Sequence, residues 1–113
     1  KKLKKNGNIL MFTPNIHSIS GRLMGPDHNM FAVFNHLCFY NLKSLNYLVK
    51  KTGFKIIKID YFGLDIKDYL QMLESKNKNI KLNKILNQIS NTLQSVIDKS
   101  SLSNSMRVII KKI

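Results

Sequence analysis

Short apolar runs alternate with amphipathic stretches along the chain, and that alternation predicts an α/β fold. Ile9-Leu10-Met11-Phe12 is an unbroken apolar run between Gly7 and Pro14. Such a run suits a strand covered on both faces, and Pro14 ends it because proline cannot donate to a ladder. Lys1 to Asn8 reads as a helix end followed by a turn at Asn6-Gly7, where both residues tolerate positive φ. Asn15 to Arg22 predicts a short helix, and Gly25-Pro26-Asp27 a turn. Met30 to Tyr40 holds Phe31, Phe34, Phe39 and Tyr40 with neither strand nor helix periodicity. It reads as a loop that packs.

The second half is more regular. Asn41 is placed to cap a helix over 41–52, in which Leu45, Leu48 and Val49 share one face. Lys50 and Lys51 close it where cations suit the helix dipole, and Gly53 follows as the capping glycine. Phe54 to Phe62, rich in isoleucine, predicts a strand with Lys55 and Lys58 on its solvated side. This strand, the helix before it and the first strand read as a crossover unit of a parallel sheet. Asp65 is placed to cap a short helix. Ser75 to Asn79 is a polar break. Lys81 to Lys99 predicts the longest helix, about 28 Å, with an apolar stripe of Leu82, Ile85, Leu86, Ile89, Leu93, Val96 and Ile97. That stripe is expected to face the sheet or a second copy. Met106 to Ile110 predicts a last strand. Three strands leave sheet edges exposed, so the chain reads as part of something larger.

Composition narrows the class. The 113 residues are 43% hydrophobic and 22% charged, which indicates one globular domain. The longest apolar runs fall far short of the roughly 20 residues needed to span a bilayer. No small-residue cleavage site follows the basic start, and a cytoplasmic location is expected. The single cysteine, Cys38, excludes an internal disulfide and a multi-cysteine zinc site; its apolar neighbours predict a buried small hydrophobe. The net charge of +13 invites a nucleic-acid partner. Nearly all the excess is lysine, however, and it is spread along the chain, so a general basic bias is the favoured reading.

Several stretches then line up with one family. Leu3-Lys4-Lys5-Asn6-Gly7-Asn8, the run to Phe12 and Thr13-Pro14-Asn15 resemble the passage into the fifth strand of class I S-adenosylmethionine-dependent methyltransferases. Ser18 with Arg22-Leu23-Met24-Gly25, Asn35-His36-Leu37 with Phe39, and Thr52-Gly53-Phe54 resemble its following motifs in the same order, over residues 3 to 65. The resemblance implies that 1–113 is a single, partial domain, the C-terminal part of a Rossmann-like sheet. Met106–Ile110 would be the seventh strand, antiparallel beside the sixth, and 65–105 a helical insertion between them. It implies an enzyme that methylates a small molecule or a glycan-type precursor.

The departures are as informative. Gly7, Gly21, Gly25, Gly53 and Gly63 form no G-x-G loop, and no strand ends on the acidic residue that would hold a ribose. None of these residues is therefore assigned to the cofactor, and the complete enzyme needs an N-terminal half or a complementary chain. Asn35 stands where the family often has Glu. Methyl transfer requires alignment and exclusion of water more than acid–base work. His36 is the candidate catalytic base or substrate-orienting group; the alternative is a histidine that caps its loop. Asn15, Arg22, Phe34 and Tyr40 are candidate acceptor-binding residues, against an Asx-turn, a solvated arginine and ordinary packing. No metal site is expected. Two other readings remain: a small basic nucleic-acid-binding module whose aromatics stack on bases, and a non-catalytic partner subunit of a methyltransferase.

Overall fold

A computed structural model describes residues 3–32, 34–76 and 80–113. Lys1 and Lys2 of the predicted helix end, Val33 of the loop and Asn77–Asn79 of the polar break lie outside the described residues. The elements are β1 (Asn8–Pro14), α1 (Ile19–Met24), α2 (Leu42–Lys51), β2 (Phe54–Phe62), α3 (Asp65–Ser75), α4 (Ile80–Lys99) and β3 (Ser105–Lys112). Two 3-10 turns, Gly25–Asp27 and Asn29–Phe31, follow α1. The class is α/β.

The three strands form one sheet in the order β1-β3-β2, and β3 is antiparallel to both neighbours. β1 and β2 therefore point the same way without pairing. The expected crossover unit is corrected on this point, because the last strand enters between its two strands. The reason lies in β3 itself. Met106, Val108 and Ile110 alternate along it and are buried, and the central position satisfies both of its edges. Val108 sits opposite Met11 on one side and Ile59 on the other.

α2 covers one face of this sheet. Its Leu45 and Val49 pack on Met106, Val108 and Ile110, with Met11, Tyr40, Ile56, Ile59 and Tyr61 around them. Burying each such aliphatic side chain contributes about 1.5–3 kcal/mol. The helix is held at both ends as its sequence predicts. Asn41 Oδ1 accepts from Ser44 N at 2.8 Å, and Ser44 Oγ accepts from Asn41 N at 3.0 Å, which is a capping box. Gly53 follows at φ +77, where a side chain would be strained.

The opposite face is open. Leu10 is 56% and Phe12 62% exposed, so the apolar run of β1 is not covered on both sides as expected. Among the described residues β1 also keeps one unpaired edge. α3 and α4 pack on each other, and α1 packs on α3. In α4 the buried line is Asn83, Ser90 and Ile97, while Ile85, Ile89 and Val96 remain exposed. The predicted stripe is thus wider than the surface α3 offers it. Among the described residues no helix is long and apolar enough to cross a membrane.

Candidate functional site

The carboxyl ends of β1 and β2 meet the first residues of β3 at one end of the sheet. Open α/β sheets collect ligands at the carboxyl ends of co-directional strands. The loop after β1 is tied back over this end, since Ile16 N donates to Tyr40 O at 3.0 Å. Under it lies a cleft in two connected parts. The smaller, about 100 Å³, is lined by Phe12, Thr13, Met30, His36, Phe62 and Ser105. The larger, about 390 Å³, shares Met30, Phe62 and Ser105 and adds Leu64, Asp68 and Asn104. Phe12 and Phe62 meet edge to face at 6.1 Å. The walls are thus largely apolar, with an imidazole at one end and a carboxyl at the other.

Behind the cleft is a buried polar network centred on Asp65. Its Oδ1 accepts from Ser20 Oγ at 2.5 Å and from Ser20 N at 3.4 Å. Its Oδ2 accepts from Gln94 Nε2 and from Asn104 N, both at 3.1 Å. One carboxylate therefore joins α1, α4 and the segment before β3 to α3. Gly63 permits this closeness: a Cβ there would run into Asn104 Oδ1 and stand 2.7 Å from Asp65 Oδ2. The sequence reading of Asp65 as a helix cap is corrected here. The carboxylate turns inward, and Gln94 Oε1 accepts from Ile66 N in the first turn instead.

His28 completes the network. Its Nδ1 accepts from Met30 N at 3.0 Å, so the proton of the neutral ring is on Nε2, 2.8 Å from Ser20 Oγ. The chain of donors then runs His28 to Ser20 to Asp65. In that direction the imidazole donates to Ser20 rather than accepting from it, and the Asp65 carboxylate that takes the serine hydrogen is also spent on Gln94 and Asn104, so Ser20 is not the nucleophile of a serine–histidine pair. Burial lowers the His28 pKa, against the raising influence of the Asp68 and Asp65 carboxylates. Asp68, which accepts from Asn104 Nδ2 at 2.9 Å, has its carboxyl pushed up by burial. The Asp65 charge adds to this rise; His28 and the Asn104 bond oppose it.

A pH dependence follows. With its folded-state pKa depressed, His28 contributes stability that is present above its ordinary value of 6.5 and is lost as pH falls through the folded value. Asp68, with a raised folded-state pKa, has the opposite sign: its contribution is complete below 3.8 and is lost as pH rises. The melting temperature should therefore fall on acidification below the ordinary histidine range. His28→Gln should flatten that fall; an unchanged slope in the variant would remove His28 as its source.

The predicted site residues are not brought together. Only His36 lines the cleft. Its ring is half-buried, 6.4 Å from Phe39, and among the described residues no hydrogen bond engages it. Asn15 is buried; its Nδ2 donates to Ser103 O at 3.0 Å and its Oδ1 accepts from His17 N at 3.1 Å, an Asx-turn geometry. Arg22 is exposed in the last turn of α1. Phe34 is 100% exposed. Tyr40 packs at the margin of the α2 core. Cys38 is exposed, contrary to the buried hydrophobe expected, because no described element covers its stretch of loop; Leu37 beside it is 92% exposed. Sequence reasoning missed Ser20, His28, Asp68 and Asn104. The available signal was the small polar cluster Ser18-Ile19-Ser20-Gly21, whose Gly21 would place a Cβ 2.7 Å from Ser18 Oγ. Such close approach marks a packed site rather than a loop.

No protein-family model matches the chain, and no curated protein matches it.

Proposed function

We propose that this chain forms the acceptor-side, C-terminal part of a Rossmann-like, S-adenosylmethionine-dependent methyltransferase acting on a small molecule or a glycan-type precursor. The observation that carries the reading is the position of β3. A last strand running antiparallel against β2 is what the resemblance over residues 3 to 65 implies, and β3 runs so, between two co-directional strands. The cleft at their carboxyl ends, with His36 over it, is in keeping with acceptor binding. The free edge of β1 suits a sheet that continues into further strands. The cofactor is assigned to that continuation, in the same polypeptide or in a complementary chain, since the glycines here form no phosphate-approaching loop.

In this reading S-adenosylmethionine supplies an already activated methyl group. The residues of this chain orient the acceptor and exclude water. Phe12, Phe62 and Met30 hold an apolar acceptor body, and His36 takes the proton that an acceptor hydroxyl or amine must lose. The test is transfer of labelled methyl from S-adenosylmethionine into a small-molecule extract by the complete protein, with binding of S-adenosylmethionine measured alongside. Binding with label in small organic acceptors is expected, and these 113 residues alone should bind no cofactor. A complete protein that neither binds S-adenosylmethionine nor transfers label would end the proposal.

A further inference from the structure

The lysines that are scattered in sequence are gathered in space. Lys4 and Lys5 precede β1, Lys55 starts β2, Lys111 and Lys112 end β3, and Lys50 and Lys51 close α2 just before Gly53. The register brings these segments to one end of the sheet: Lys111 lies opposite Asn8 and Lys55, and Lys112 opposite Phe54. Lys112 N donates to Gly7 O and Ile113 N to Gly53 O, both at 3.0 Å, which ties the chain end to the turns before both outer strands. Lys4, Lys5, Lys50, Lys51 and Lys55 are exposed.

The six carboxylate side chains of the sequence all lie elsewhere. Asp27 pairs with Lys76, and Asp60 with Arg107 and Lys58. Asp65 and Asp68 belong to the network behind the cleft, Asp98 joins it through Gln94 and Ser103, and Glu74 is in the last turn of α3. Among the described residues, the end of the sheet opposite the cleft therefore carries a cluster of lysines and no acidic side chain.

We propose that this pole docks the protein on an anionic lipid surface. Lysine is a compact charge on a long apolar stem, suited to headgroups and able to lie along an interface. Arginine, the better reader of bases and planar phosphate forks, is absent from the pole: Arg22 is on α1 and Arg107 is held by Asp60 at 3.0 Å. The exposed rings at Phe12, Phe34 and Phe62, which base stacking would need, belong to the cleft end and its loop. The pole instead offers Ile113, 72% exposed, and Tyr47, whose ring lies 5.7 Å beneath Lys51 Nζ. An aliphatic and a tyrosine among lysines are the composition of an interfacial contact. The open cleft then faces away from the membrane.

The experiment is co-sedimentation of the complete protein with phosphatidylcholine vesicles, with and without phosphatidylglycerol, over a range of salt. Binding to the anionic vesicles that weakens as salt rises is expected. Combined Lys50→Glu, Lys51→Glu and Lys55→Glu should lower the partition coefficient by at least about tenfold, in a variant whose far-ultraviolet circular dichroism shows it still folded at the assay temperature. Reversal of Lys67, Lys81 and Lys84 on α3 and α4 should change it by less than about twofold. Equal binding to neutral vesicles, an unaffected pole variant, or duplex RNA bound through the same lysines with no affinity for vesicles would each overturn the proposal.

Discussion

Asp65→Ala should destabilise the protein by at least about 3 kcal/mol, because several buried donors lose their acceptor and each costs about 1–3 kcal/mol. Ser20 Oγ, Gln94 Nε2 and Asn104 N all end on this carboxylate at 2.5–3.1 Å. Asp65 is 1% exposed, as is Ser20, so water cannot replace the missing oxygens without opening the junction of α1, α3 and α4. In a domain of this size each kcal/mol lowers the melting temperature by about 4–8 °C. Asp65→Asn should fall between wild type and alanine, since an amide keeps one acceptor and turns a donor toward the others. Thermal melts at neutral pH followed by far-ultraviolet circular dichroism decide the matter. A shift of less than about 4 °C for alanine would mean that the network tolerates water and does not hold the helices together.

The sequence made the elements legible and the junctions illegible. The helix over 42–51 was readable to within a residue because its determinants are local: an Asn41 cap, an apolar face and Gly53. The strand over 54–62 was readable for the same kind of reason. Sheet order was not readable from periodicity, since a run such as Met106–Ile110 looks alike at an edge and in the centre. Only the resemblance implied its antiparallel run. A carboxylate at a helix start has the role of a cap by default; the partners of Asp65 come from positions as distant as Ser20 and Asn104, which no local pattern reveals. The exposure of Leu10, Phe12, Leu37 and Cys38 has a common origin. Hydrophobic residues report that cover is expected, and they do not report whether the covering element lies within the same stretch of chain.

On the proposed methyltransferase reading, His36→Ala in the complete protein should lower turnover by about a hundredfold to ten-thousandfold while leaving S-adenosylmethionine binding intact. The argument starts from position. His36 is the one predicted site residue that lines the cleft, beside Phe12, Met30 and Phe62, and among the described residues no protein group claims its ring nitrogens. A histidine that merely capped its loop would donate to a backbone carbonyl, and this ring makes no such bond among the described residues. Loss of the imidazole should therefore leave the melting temperature within a few degrees of wild type, about what a half-buried side chain without hydrogen bonds warrants. Single-turnover rates separate chemistry from product release. His36→Gln should recover little activity if the ring accepts a proton, because an amide cannot, and most of it if the ring only orients the acceptor by hydrogen bonding. Turnover within about threefold of wild type in His36→Ala, well inside the range expected without acid–base loss, would remove His36 from the chemistry and leave it as part of the cleft wall.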